Sequence, residues 1–320
     1  MKIIQSFWTL PMLKREAAAP ENRFSGGWCE MKYHLMSWAY SCLQLRCFYD
    51  EVELITDQAG KELLIDRLQL PYTHVKVVLD NLNGYDPNWW AIGKVYAFGL
   101  QDQPFLHVDG DVFIWEPFPE RLVKAALVSQ HLEYAYPFYK EVLGFLLNRG
   151  AYIPKDILSG AEGQTALHAF NGGIIGGNDL AFFKEYVLEA WKFIRQNQAI
   201  SDAPNAGNLN AFYEQHLFYC MAARRKIPVE CYTYETDEDR LWDLFKSVQR
   251  FGDAPAGGGY IHLYGEAKKM VRHCEILAER LRQEHQRYYY RVLNALTSDF
   301  NENQYDDEIT NAAGDMAPGL

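Results

Sequence analysis

Four short apolar runs that read as strands, KIIQSFW, EVELITD, HVKVVLD and FLHVDGD, are separated in the first third of the chain by stretches with helical spacing. CEMKYHLMSWAYSCLQLRCFY places Met31, Leu35, Trp38 and Cys42 on one helical face, KELLIDRLQL is a second helix ended by Pro71, and WWAIGKVYAFGL is a third that leads straight into FLHVDGD. Strands joined by helical crossovers pair in parallel, and a parallel sheet is covered on both faces. The expected fold class is therefore α/β, with a mainly parallel, mixed central sheet flanked by helices.

The remainder adds pieces compatible with that frame. Residues from Glu120 to Ile157 read as helical and aromatic, and ALHAFNGGIIGGNDL as a strand bracketed by glycines. LAFFKEYVLEAWKFIRQ and NAGNLNAFYEQHLFYCMAARR read as helices, PVECYTY as a strand, and GGGYIHLYG as a Gly-rich loop entering a short strand. A last helix is expected from Glu266 to about Leu296, with Met270, Cys274, Leu277 and Leu281 on one face. Beyond Arg291 there is no further Lys or Arg, and the acidic, small and polar end is expected to be disordered.

A content of 48% hydrophobic and 15% aromatic residues in 320 is ample for a large core. The formal net charge of -11 argues against a nucleic-acid partner, because neutralising phosphates needs a basic surface. Six cysteines without a CxxC pair exclude zinc ribbons and a dense disulfide scaffold, and read as reduced thiols. MKIIQSFWTLP is cut by Pro11 and has no apolar core of signal-peptide length, and no stretch approaches the roughly 20 apolar residues that span a bilayer. The expected location is cytoplasmic. A membrane-surface role rests only on RLRQEHQRYYYRVL, a pattern more often met in a packed helix with snorkelling arginines.

In open α/β sheets ligands gather at the carboxyl ends of the strands, which is where Trp8, Asp57 and Asp109 fall. Asp109 and Asp111 in VDGD have two readings. Asp-Gly between strand-like runs signals a hairpin turn with Gly110 at positive φ, whereas a second carboxylate beside the first suits one hard cation. Three further groups follow: Asn171 ahead of two glycines in FNGGIIGG, where backbone can approach a ligand; Glu214 and Gln215 in YEQHL; and His262, Gly265 and Lys268 in HLYGEAK. A turn, a solvated helix face and a core histidine explain each group singly. Their order, carboxylates at a strand end, an Asn-Gly turn, then a late His and Lys, suits a divalent cation with a diphosphate.

This ordered set resembles the metal-dependent GT-A glycosyltransferases, and most of all glycosyltransferase family eight, the glycogenin and bacterial galactosyltransferase group. That pattern has a lysine-bearing helix, an apolar strand into DxD, then FN-S/N-G, then D-Q, then HxxGxxK, matched here by Lys94, Asp109 and Asp111, Phe170 to Gly173, Glu214 with Gln215, and His262, Gly265 and Lys268. The resemblance covers roughly residues 1 to 270. It departs at Glu214, which replaces the usual Asp, at Gly173 in the turn, and at Lys269-Met270, which stand where Pro-Trp commonly follows.

The resemblance implies a GT-A, Rossmann-like nucleotide-sugar-binding fold and transfer of a hexose-like sugar from a nucleotide-diphosphate-sugar, a UDP-sugar being favoured, to an acceptor of unknown kind. It implies Mn²⁺ or Mg²⁺ held by Asp109, Asp111 and His262. Trp8, Asp57, Lys94, Asp109, Gly172, Gly265 and Lys268 are the candidate donor-binding residues, and Glu214, Gln215 and Asn171 the candidate catalytic ones. One domain is expected over 1–298, comprising a nucleotide-binding half (1–118), an acceptor and sugar half (119–265) and a C-terminal helix (266–298), with 299–320 as the tail. Two other readings stand beside it. A haloacid-dehalogenase-type phosphotransferase also uses two aspartates two positions apart, but its nucleophile strand opens the domain and HLYGEAK has no place in it. A catalytically inactive sugar-nucleotide-binding protein would not need an intact Asp-Asp-His-Lys set.

Overall fold

The computed structural model describes residues 1–13, 25–200, 206–233, 250–256 and 259–296. Its centre is a seven-stranded sheet in the order β10-β6-β9-β4-β1-β2-β3. The strands are β1 (Lys2–Phe7), β2 (Val52–Thr56), β3 (His74–Val77), β4 (Phe105–Val108), β6 (Leu127–Ser129), β9 (Ile174–Gly177) and β10 (Val229–Cys231). β1 pairs in parallel with β2 and β4, β2 with β3, and β6 with β10, while β9 runs antiparallel to both β4 and β6. The fold is α/β with a mainly parallel, mixed sheet, as the strand and helix alternation implies.

Period-two alternation sends neighbouring strand residues to opposite faces, and both faces are covered. Ile4, Ile55, Phe105 and Ile175 join a core with Val95 and Phe98 of the helix Ile92–Gly99 and Phe183 and Tyr186 of the helix Leu180–Gln196. Phe7 and Leu54 face the other way, onto Leu35 and Trp38 of the helix Met31–Phe48 and Leu277 and Leu281 of the helix Val271–Glu284. No helix among the described residues is long and apolar enough to cross a membrane. All six cysteines are free thiols.

Three expectations differ from the structure. The stretch from Glu120 to Ile157 is not helical throughout: between the helices Glu120–Lys124 and Pro137–Asn148 it contains β6 and β7 (Leu132–Glu133), the latter paired antiparallel with β8 (Ala169–Phe170). Strands of two or three residues are too short to show a period, and β6 owes its state to pairing with β9 and β10. The single helix from Glu266 is instead a 3-10 turn, Gly265–Lys269, then the helix Val271–Glu284 and a further helix over 286–296, with an interruption at His285. Met270 sits at the junction in extended backbone and is 49% exposed, so it does not share the buried face of Cys274, Leu277 and Leu281. VDGD, third, is a turn but not a hairpin: β4 pairs with β1 and β9, whereas β5 (Val112–Ile114) leaves the sheet to pair with β11 (Tyr260–His262). The acidic tail lies outside the described residues.

Candidate functional site

β4 delivers Asp109 at its carboxyl end, and the next turn, closed by Val112 N–H donating to Asp109 O at 3.1 Å, delivers Asp111. Gly110 between them is not in the left-handed region. What demands glycine there is space, because a Cβ would lie 2.6 Å from Cδ2 and Cε2 of Trp38. The carbonyl of Gly110 is held by the Ser37 hydroxyl at 2.6 Å. Helix Met31–Phe48 thus presses directly on the aspartate turn.

β5 and β11 form an antiparallel pair with His262 opposite Val112, and Leu263 N–H donates to Asp111 O at 3.0 Å. That register sets His262 Nε2 3.2 Å from Asp111 Oδ1. One ligand atom each of Asp109, Asp111 and His262 lies within 4.8 Å of the others. Two anionic oxygens and an imidazole nitrogen are a donor set that a divalent cation such as Mn²⁺ or Mg²⁺ accepts, and the cluster is compatible with a metal site.

Each carboxylate meets a lysine. Lys268 Nζ lies 2.5 Å from Asp111 Oδ2, and Lys94 Nζ lies 2.9 Å from Asp109 Oδ1 and 2.5 Å from Glu214 Oε1. Burial works against the charged form of Asp111, but Lys268 and His262 outweigh it and hold the carboxyl well below the usual range. Burial raises the pKa of Asp109 and of Glu214, with Lys94 opposing in both. Burial likewise disfavours the Lys94 ammonium, yet Asp109 and Glu214 more than offset it and its pKa is raised.

Of the sequence-derived residues, Trp8, Lys94, Asp109, Asp111 and Lys268 line one cleft, together with Trp28, Trp38 and Trp90. His262 stands behind Asp111, and Glu214 behind Lys94. Gly172 accepts from Lys94 at 2.9 Å through its carbonyl, and a Cβ there would lie 2.4 Å from Glu214 Oε1, so close backbone approach is what this glycine supplies. Asn171 is committed on both sides: Oδ1 accepts from Gly173 N–H at 2.9 Å and Nδ2 donates to Glu133 at 2.8 Å. Gln215, with its amide nitrogen turned toward Glu133, donates to that carboxylate at 3.2 Å.

The last two candidates, Asp57 and Gly265, do not line the cleft either. Asp57 caps a helix start, its Oδ1 accepting from Gly60 N–H at 2.8 Å and its Oδ2 from Thr9 N–H and hydroxyl at 2.8 and 2.7 Å, which leaves the strand-end carboxylate a structural role. Gly265, at φ +54, opens the 3-10 turn that carries Lys268 inward. Sequence reasoning missed Gln130 and Glu133, both buried around the site, because they follow the strand β6 it did not find. It also missed that Glu214 and Gln215 lie in a π-helical turn, Phe212–His216, a local widening that often accompanies functional sites and has no signature in residue spacing.

No curated protein matches this chain. Among solved structures, the galactosyltransferase LgtC in complex with donor and acceptor sugar analogs is 11% identical with a TM-score of 0.43, covering 87% of this chain and 96% of that one. The glycosyltransferase GlyE of Streptococcus pneumoniae TIGR4 is 10% identical with a TM-score of 0.40, covering 93% of this chain and 64% of that one. Mouse xyloside xylosyltransferase 1 in its apo form is 12% identical with a TM-score of 0.35, covering 72% and 84%. A family model, described as a family of unknown function, matches residues 1–295. On that match over nearly the whole described chain, the protein belongs to the DUF6734 family.

Proposed function

We propose that the protein is a metal-dependent GT-A glycosyltransferase that takes a nucleotide-diphosphate-sugar as donor, a UDP-sugar being favoured, and transfers its sugar to a hydroxyl-bearing acceptor. The observation that carries the reading is the convergence of Asp109, Asp111, His262 and Lys268, from two distant parts of the chain, on one cleft.

Asp109, Asp111 and His262 would hold the cation, which when bound supplies Lewis-acid stabilisation of the departing diphosphate. The chain's own part is charge exchange. Lys268 pairs with Asp111 at 2.5 Å, and its ammonium would turn to phosphate oxygens once the Asp111 carboxylate served as a ligand to the cation. Negative charge that builds on the leaving oxygen then meets a preorganised cationic group. Lys94 keeps Asp109 and Glu214 apart in charge and pins Gly172, so the floor of the cleft is set before any ligand arrives. The aromatic wall of Trp8, Trp28, Trp38 and Trp90 supplies flat apolar surface for the flat and apolar parts of a donor.

The test is a thermal-shift screen of UDP-, GDP- and dTDP-sugars with and without Mn²⁺, because a ligand bound only by the native state raises the melting point by mass action. A metal-dependent shift with one nucleotide class is expected. No shift with any of them at millimolar concentration would overturn the reading.

A further inference from the structure

We propose that Gln130 is a positioning residue that holds His262 through an Nδ1–H donor and so turns Nε2 toward Asp111, and that Gly173 is glycine because this hydrogen bond occupies the space of its side chain. For its metal-binding consequence this rests on the function proposed above; the tautomer itself does not.

Tyr260 and His262 are two apart on β11 and therefore point to the same side. Both converge on one buried atom: the Tyr260 hydroxyl donates to Gln130 Oε1 at 2.8 Å, and His262 Nδ1 lies 2.7 Å from the same oxygen. Gln130 is 1% exposed, at the end of β6, so its amide has little freedom to leave. An amide oxygen accepts only, so Nδ1 carries the proton shared with Gln130 in an imidazolium as in a neutral ring, and a neutral ring can be only the Nδ1–H tautomer. Nε2 is thereby left as the ring nitrogen that faces Asp111 Oδ1, at 3.2 Å. A lone pair and a carboxylate that close are mutually unfavourable, so a proton on Nε2 relieves the pair in the metal-free chain and a cation between them would take the place of that proton. The hydrogen bond made by one ring nitrogen decides which function the other performs.

The second half of the argument is steric. A Cβ on Gly173 would stand 2.1 Å from Gln130 Oε1 and 2.5 Å from His262 Nδ1. Gly173 is not in the left-handed region, so its backbone does not require glycine. The glycine that ends FNGG thus has a local cause: residues 130, 173 and 262 share one volume. A bulkier residue at 173 and a Gln130–His262 hydrogen bond exclude each other.

The experiment has two arms on the full chain. Long-range ¹H–¹⁵N NMR of the metal-free protein, with the pH raised until the ¹⁵N shifts of His262 are those of a neutral ring and with His262 assigned through His262→Gln, reads the tautomer directly. The Nδ1–H form is expected in the wild type and in Gln130→Glu, whose carboxylate also accepts, and it is expected to be lost in Gln130→Leu and in Gly173→Ala. The Nε2–H form in the wild type, or an unchanged tautomer in both disrupting variants, overturns the proposal. The other arm measures Mn²⁺ affinity by paramagnetic resonance. Gln130→Leu and Gly173→Ala are each expected to weaken it about 10- to 100-fold, the usual cost of losing the partner of a metal-ligating histidine. Because both act on one hydrogen bond, the double variant should be no weaker than the worse single one. Losses that multiply, or wild-type affinity in both singles, overturn the shared-volume argument. A wild type that binds no Mn²⁺ yet shows the Nδ1–H form sinks the metal reading and leaves the positioning role standing.

Discussion

His262 Nε2 stands 3.2 Å from Asp111 Oδ1 because β11 pairs with the strand that leaves the aspartate turn, not with the main sheet. The register sets His262 opposite Val112, and the Leu263 N–H to Asp111 O bond closes the contact. A slip of one residue would turn His262 to the opposite face of the pair. One short antiparallel pairing therefore decides whether the late HLYGEAK segment has anything to do with VDGD.

Asp111→Asn is expected to abolish metal-dependent nucleotide binding while leaving the fold intact, since an amide cannot supply the anionic oxygen that a hard cation prefers. Asp109→Asn should weaken binding as well. Calorimetry with Mn²⁺ and nucleotide checks both, with circular dichroism as the control for folding. Wild-type affinity in both variants would falsify the metal reading.

Lys268 and Lys269 are neighbours with different surroundings. Lys268 is 16% exposed and pairs with Asp111, whereas Lys269 is 60% exposed and pairs with Glu266 at the surface. Lys268→Ala should lower donor turnover on the order of 10²-fold, the scale of losing one preorganised charge-stabilising group. Lys269→Ala should change it little, as exposed ion pairs contribute about 0 to 1 kcal/mol. Steady-state rates of the two variants decide, and equal losses would remove the special role given to Lys268.

What could be read without coordinates follows from the length of each signal. The helix Met31–Phe48 and the strands β1, β2 and β4 carry long apolar runs, and their alternation was enough for the parallel frame. VDGD and HLYGEAK were legible as chemistry, although only the β5–β11 register explains why they meet. The buried ring around them was not legible. Gln130 and Glu133 sit after a three-residue strand whose state comes from its neighbours, and a π-helical turn is invisible to 3.6-residue periodicity. Asp57 illustrates the converse: a strand-end carboxylate is a common ligand position and an equally common helix cap, and only its bonds to Thr9 and Gly60 distinguish them.

Gly110→Ala tests whether the aspartate turn is shaped by packing. Its Cβ would lie 2.6 Å from the Trp38 ring, and Trp38 is itself buried under the turn at 7% exposure. Overpacking of this kind costs about 1 to 3 kcal/mol, read as a lower urea midpoint at unchanged m-value. In a Trp38→Phe background, where the second ring is gone, the penalty of Gly110→Ala should shrink. An equal penalty in both backgrounds would mean that the contact with Trp38 is not what keeps residue 110 small.

Stability should fall as the pH drops below about 6.5, and His131 offers the means to show why. It is 5% exposed, and neither ring nitrogen has a hydrogen-bond partner among the described residues. Burial, with a smaller push from His262, lowers its pKa to about 3; burial and then Lys268 bring His34 to about 3, and burial brings His216 to about 4. Between those values and the unfolded value near 6.5 the unfolded chain binds protons that the folded chain does not, so acidification favours unfolding. Each such histidine contributes a slope of about 1.4 kcal/mol per pH unit in that window. Glu133 and Glu214 act in the opposite sense, because burial raises their pKa values and the fold holds their protons more tightly, which flattens the slope toward the acid end. His131→Leu removes one titration together with two unsatisfied buried atoms, whose desolvation costs about 1 to 3 kcal/mol. The variant is expected to be as stable as the wild type or more so at pH 7.5, and to gain further on it at pH 5, in urea melts at both values. A wild type and variant that lose stability in parallel between the two would show that His131 becomes protonated in the folded chain, and that its burial does not restrain it.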